Sequence, residues 1–151
     1  MVVVGDGSYM MLNSELATSV MLGYKVIVIV LDNRGYGCIN RLQQGTGGAA
    51  FNNLFENCQS IEAGAPKIDF AAHGAAMGAL SEKVANIAEL EQAILRAKAA
   101  DRSYLITLDT DPNITSEGGC WWDVAVAQVS QRTETTQAHA SYLVSKQKQP
   151  Y

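Results

Sequence analysis

No apolar run in the 151-residue sequence exceeds the six residues Val26 to Leu31, so no segment reads as a membrane-spanning helix. Positive charge is not in excess: 11 Lys and Arg face 15 Asp and Glu, for a net charge of −4. That balance lacks the electrostatic footprint of a phosphate-backbone binder, which disfavours a nucleic-acid partner. Blocks of like charge are also missing, and an apolar share of 48% is too high for a disordered tail. The three cysteines (Cys38, Cys58, Cys120) are odd in number and contain no C-x-x-C pair. A disulfide framework or zinc site is therefore disfavoured, and a reducing, cytoplasmic compartment is expected. The opening Met-Val-Val-Val-Gly-Asp has no basic n-region and no cleavage-like segment, so no export signal is read there. What remains suits one domain with a sizeable core.

The chain enters at once on Val2-Val3-Val4, read as a short buried strand, followed by a turn over Gly5 to Met10. A core strand without a lead-in element reads as part of a longer polypeptide. From Met11 the spacing turns helical, with Leu12, Leu16, Val20 and Met21 on one face. Asn13 or Ser14 is the candidate cap, and Gly23 the left-handed stop. Val26 to Leu31 is continuously apolar, as in a strand covered on both faces of a parallel sheet. Strand, helix and strand make a βαβ unit. The glycine-rich stretch Asp32 to Ala49 reads as a long functional loop. Further helices are expected over Phe70 to Leu80, with Asp69 as cap, and over Ile87 to Ala99, with Leu90, Ile94 and Ala97 inward. Strands are expected at Lys83 to Ala85 and Ser103 to Leu108, and a polar helix from Thr133 to Lys146 in a tail spanning residues 117–151. The alternation predicts an α/β fold, a parallel sheet sandwiched by helices.

Gly5-Asp6-Gly7 after the first strand is not a dinucleotide fingerprint, because Met10 stands where the third glycine belongs. The Gly-Lys-Ser/Thr of a P-loop is absent too. Taken alone, the turn could be an ordinary βα connection. The second strand changes its meaning, since it ends in Asp32-Asn33-Arg34-Gly35-Tyr36-Gly37. If the two strands are parallel neighbours, Asp6 and Asn33 flank one crevice at the carboxyl edge of the sheet, where α/β proteins bind ligands. A carboxylate, an amide oxygen and a nearby carbonyl are hard donors suited to Mg2+, which shares its shell with phosphate and water. Backbone amides of Gly7 and Ser8, opening a helix, can receive phosphate oxygens. Glycine at 5 and 7 permits close approach.

Gly-Asp-Gly, one helix and one apolar strand, then an Asn-containing turn resembles the signature of thiamine-diphosphate enzymes. The resemblance implies a thiamine-diphosphate-binding fold over most of the chain, with residues 1–151 its C-terminal diphosphate- and Mg2+-binding domain and upstream domains lacking. It assigns Asp6, Asn33 and the Gly35 carbonyl to the metal, and Gly5, Asp6, Gly7, Ser8, Asn33, Gly35, Tyr36 and Gly37 to the cofactor. The family often has Asn-Asn where this chain has Asp32-Asn33; the ligating second position is kept. Gly35 to Gln43, Trp121-Trp122-Asp123-Val124, Val129 to Arg132 and the terminal Gln149-Pro150-Tyr151 further resemble the trihydroxycyclohexane-1,2-dione hydrolases of bacterial inositol catabolism. That resemblance implies opening of a cyclic 1,2-diketone by C–C cleavage and hydrolysis, giving a deoxy-glucuronate. The glutamate that activates the aminopyrimidine lies, in the family, on a separate N-terminal pyrimidine-binding domain, so no catalytic side chain is assigned here. The chain alone is expected to be inactive and, with uncovered faces, to self-associate as a homo-oligomer.

Other residues take plainer readings. Cys38 could face the cofactor, but is expected to be a buried small hydrophobe. His73 reads as packing, His139 as solvated, Trp121 and Trp122 as anchors of the tail, and Asp109 and Asp111 as turn residues. Two alternatives stay open: another thiamine-diphosphate enzyme of the acetolactate synthase type, and a non-catalytic binding remnant.

Overall fold

The computed structural model describes residues 1–58, 67–114 and 123–149. Trp121, Trp122, Cys120, Pro150 and Tyr151 lie outside the described residues. Four strands, β1 (Val2–Gly5), β2 (Ile27–Asp32), β3 (Leu80–Val84) and β4 (Tyr104–Asp109), form one sheet in the order β1-β2-β4-β3. Every pairing is parallel, and Gly5 aligns with Leu31. The helices are α1 (Asp6–Met11), α2 (Ser14–Leu22), α3 (Gly37–Gly45), α4 (Phe70–Ala76), α5 (Ile87–Ala99) and α6 (Thr133–Gln147).

The two-residue period of a strand explains the two-sided core. Ile29 and Ile106 point to the face where Ala93 and Ala97 of α5 pack. Their neighbours Val30 and Leu105 point to the opposite face, against Tyr9, Leu16 and Phe70. All of these are buried. Leu90 and Ile94 join the first cluster as partly buried neighbours, as their spacing predicts.

Helix ends follow local chemistry. Asp69 caps α4 by accepting from Ala72 N at 2.9 Å. Gly23 ends α2 in the left-handed region at φ 71°. Asn86 caps α5, its Oδ1 accepting from Glu89 N at 2.9 Å while Glu89 Oε2 accepts from Ala85 N at 2.8 Å. Asn86→Ala should lower the unfolding free energy by about 1 kcal/mol. A denaturation midpoint that stays put would remove the cap from the account.

Several expectations are corrected. β1 is not buried: Val2 and Val3 are 46% and 56% exposed, because β1 is the last strand of the sheet. Gly5 to Met10 is not a simple turn, since helix begins at Asp6. The break between Met11 and Ser14 takes Leu12 out of the helical period and leaves it 66% exposed. Met21, five positions beyond Leu16, falls on the other side of α2 and is 85% exposed. Asn13 occupies the cap position of α2, but its side chain donates back to Met10 O. Half of the glycine-rich stretch is helical, as α3. α4 stops at Ala76 and β3 starts at Leu80, the chain turning through Gly78 at φ 85°. The helix of the tail lies where its pattern predicts, over Thr133–Gln147.

Candidate functional site

β1 and β2 are adjacent and parallel, so their carboxyl ends bring Asp6 and Asn33 together. Asp6 is 2% exposed, yet its carboxylate does not go unpaired. Oδ2 accepts from Gly35 N at 2.7 Å, and Oδ1 accepts a longer bond from Asn33 N at 3.4 Å. These bonds wrap the 33–35 turn around the carboxylate. Gly35 is at φ 139°, a conformation open to glycine, and bridges antiparallel to Leu54. Tyr36 N donates to Asn53 O at 2.7 Å and Phe55 N to Arg34 O at 3.0 Å, so the 53–55 segment props the turn from outside. Arg34, also left-handed at φ 67°, ties the turn to the sheet through Asp32 and Asp109.

Burial pushes the Asp6 carboxyl above its ordinary value of 3.8, and the nearby Asp32 adds to the rise. The N–H groups of Gly35, Asn33 and Gly7 oppose it. A buried carboxylate whose ionised form is disfavoured is a place where a cation is welcome.

The amide of Asn33 completes the geometry. Its oxygen faces two acceptors, Gly35 O and Asp6 Oδ1, and an amide nitrogen turned to that side would donate to them at 2.8 Å and 3.0 Å. With nitrogen there, the turn is closed by hydrogen bonds and needs no ion. With oxygen there, three oxygens converge without a proton between them, which is repulsive unless a cation sits among them. Adjacent corners of an octahedron with metal–oxygen bonds of about 2.1 Å lie about 3.0 Å apart. The 2.8 Å and 3.0 Å separations of the Asn33 amide from Gly35 O and Asp6 Oδ1 match that edge when its oxygen is the atom turned there.

A crevice of about 360 Å³ opens beside these oxygens, between α1 and α3. Gly5, Gly7, Ser8, Asn33, Gly35, Tyr36 and Gly37 line it, together with Met11, Cys38, Ile39 and Arg41. Asp6 lines an adjoining recess of about 170 Å³ with Gly7, Gly35 and Tyr36. A Cβ on Gly7 would stand 2.7 Å from the Tyr36 ring and 3.2 Å from Gly35 O, filling the space beside the oxygens. Gly37 is equally constrained, with Asn33 Nδ2 at 2.6 Å from the Cβ position. Glycine at 7 and 37 thus lets the Tyr36 ring and the Asn33 amide pack directly against the backbone that walls the crevice.

Residues 1–108 match the family described as thiamine pyrophosphate enzyme, C-terminal TPP binding domain. The chain belongs to that family. Its cofactor is thiamine diphosphate, and Mg2+ is the metal that usually accompanies it in such enzymes. Among curated proteins, this thiamine pyrophosphate domain is 39% identical over 150 residues to 3D-(3,5/4)-trihydroxycyclohexane-1,2-dione hydrolase 2 of Bacillus cereus. The match covers 96% of this chain and 23% of that protein. A dione hydrolase of Bacillus anthracis is 38% identical over 143 residues, covering 91% of this chain and 22% of its own length. The chain thus spans under a quarter of the length of these relatives. Among solved structures, thiamine diphosphate-dependent 4-hydroxybenzoylformate decarboxylase of Rhodococcus jostii RHA1 shares the fold at TM-score 0.62 and 24% identity, covering 73% of this chain and 19% of that one. Benzoylformate decarboxylase from Polynucleobacter necessarius superposes at TM-score 0.58 and 26% identity, covering 76% and 20%.

The remaining residues divide. Cys38 is exposed on the crevice wall rather than buried, because α3 presents its first turn to the opening. His73 packs as expected, its Nδ1 2.9 Å from Tyr9 Oη. His139 is half-buried rather than solvated, its ring stacked near Tyr142 with centroids 6.2 Å apart. Asp111 accepts from Asn113 N as a turn residue does, whereas Asp109 is also an ion-pair partner of Lys83 and Arg34. Met11, Ile39 and Arg41 also wall the crevice, and helical spacing from Gly37 places Arg41 there one turn later.

Proposed function

We propose that this domain is the C-terminal cofactor-binding part of a thiamine-diphosphate-dependent hydrolase that opens the ring of trihydroxycyclohexane-1,2-dione to a deoxy-glucuronate. The reading is carried by the extent of the similarity. The family match ends at residue 108, whereas identity to the dione hydrolases runs over 96% of the chain and so includes the tail. Within the site, Asp6, Asn33 and the Gly35 carbonyl hold Mg2+, and the amides of Gly7 and Ser8 face the diphosphate across the crevice. Gly5, Tyr36 and Gly37 complete the wall on which the cofactor rests. Thiamine diphosphate, when bound, supplies the carbon nucleophile and a ring that takes up an electron pair. This chain contributes position and charge, while the pyrimidine end of the cofactor is covered by an N-terminal domain of the longer polypeptide. The enzyme works as a homo-oligomer in the cytoplasm: Tyr24, 74% exposed, lines a recess with Val2 and Val4 of the edge strand β1, and Cys38 and Cys58 are free thiols.

The test is a product assay on the full-length polypeptide with thiamine diphosphate and Mg2+. Ring opening of the trihydroxylated dione, with little condensation of pyruvate, is the expected result. Acetolactate without ring opening would replace the substrate assignment and leave the cofactor site standing. The 151 residues expressed alone should turn over neither substrate.

A further inference from the structure

A second cavity, of about 500 Å³, lies between α3 and the tail, against α6. Arg41 lines both this cavity and the cofactor crevice, so the two spaces meet at its side chain. None of the residues that cradle the diphosphate lines the second cavity. Of the five arginines, Arg34, Arg96, Arg102 and Arg132 each meet a carboxylate. Among the described residues Arg41 meets none. A planar fork of donors left unpaired at the junction of two cavities is suited to a carboxylate.

The walls of the second cavity narrow the choice of ligand. Ser141 and Ser145 carry hydroxyls, those of Thr46 and Tyr142 are already bonded within the protein, and Leu42, Val124 and Val126 supply apolar surface. Such a lining fits a compact ring or chain bearing several hydroxyls. The cavity is held in place by the docking of α6 on the end of α3. Thr135 Oγ1 donates to Gly47 O at 3.0 Å and Arg132 Nε donates to it at 2.8 Å, and Gly47 sits at φ 82° with no room for a Cβ beside Thr135.

We propose that the cavity between α3 and α6 binds a polyhydroxylated carboxylate, with Arg41 as its charge partner. Its identity as the product of ring opening rests on the function proposed above; the chemistry of the site does not. Cleavage and hydrolysis of a neutral dione create an anion beside the cofactor. Arg41 receives that anion and sets the affinity for product.

Saturation-transfer NMR on the full-length holoenzyme, titrated with D-glucuronate and separately with myo-inositol, reads the site directly. Arg41→Gln should raise the dissociation constant for D-glucuronate about tenfold or more, as loss of a charge-assisted contact implies, and leave myo-inositol unchanged. Arg41→Lys should restore part of the affinity, and Ser141→Val should weaken both ligands. Ser141→Val, at a residue that lines only the second cavity, should keep affinity for thiamine diphosphate with Mg2+ within about twofold. D-glucuronate binding that ignores Arg41, or an Arg41→Gln defect confined to thiamine diphosphate, would overturn the proposal. Arg41-dependent binding in an enzyme that does not open the dione would uphold the site and overturn the substrate assignment instead.

Discussion

Asp6→Ala in the full-length polypeptide is expected to abolish Mg2+-dependent retention of thiamine diphosphate. Asp6 supplies the only charged oxygen of the proposed donor set, and the carboxylate also holds Gly35 N at 2.7 Å. Its loss therefore removes a ligand and slackens the turn that presents the Gly35 carbonyl. Affinity should fall by about a hundredfold or more, roughly 3 kcal/mol, measured by calorimetry with cofactor and Mg2+ together. Asn33→Ala should weaken retention by a smaller factor, since a neutral amide oxygen is lost and water can replace it. Unchanged affinity in both variants would remove these residues from the metal site.

The same carboxylate makes both stability and cofactor retention depend on pH, in opposite directions. Burial raises its folded pKa above the ordinary carboxylate value. In the cation-free protein the fold therefore favours the protonated form. Asp6 contributes stability that is fully present in acid and is lost as pH rises through the raised value, so at neutral pH its charge opposes folding. Asp6→Asn keeps an acceptor for Gly35 N and removes the charge. The variant should melt higher than the parent at about pH 7 without Mg2+, and should gain nothing from Mg2+. Cofactor retention in the parent runs the other way, failing as pH falls toward the raised pKa, because the metal requires the carboxylate.

Gly35→Ala carries the largest expected cost to the fold. The position is at φ 139°, and a Cβ there would press on Asn53 O and stand 3.0 Å from Leu54 Cα. Both obstacles are backbone, and Leu54 is 2% exposed in the core, so neither can step aside. A loss of about 3 kcal/mol or more is expected from left-handed strain plus overpacking, read as a lower urea midpoint. Gly45→Ala is the control. It lies at the end of α3 with nothing within 4 Å of its Cβ position, and should stabilise by about 0.5 kcal/mol. Equal midpoints for the two variants would contradict the described turn.

Much of this arrangement is legible in sequence because it is local. Ile87–Ala99 carries helical periodicity over three turns, and Asp69 and Gly23 mark helix ends by capping chemistry. Asp6 and Asn33 are readable as a pair because a βαβ unit fixes where adjacent strand ends must lie. What is not legible depends on neighbours distant in the chain. The exposure of β1 follows from strand order, which periodicity does not encode. The support that Asn53 and Leu54 give the Gly35 turn has no local signal, because it is a single backbone bridge across 19 positions. Composition also misleads at Gly37–Gly45, where glycine richness reads as loop while the residues between form a helix. Cys38 and Arg41 reach the crevice only because that helix exists.

The central claim is that Asp6, Asn33 and Gly35 place three oxygens around one cation beside the diphosphate crevice. Anomalous diffraction from crystals of the full-length polypeptide grown with thiamine diphosphate and Mn2+ tests it most directly. The account predicts one anomalous peak bonded to Asp6 Oδ1, Asn33 Oδ1 and Gly35 O, with the diphosphate completing the shell against Gly7 and Ser8. A peak bonded elsewhere, or the Asn33 nitrogen turned toward Gly35 O with cofactor bound, would contradict it.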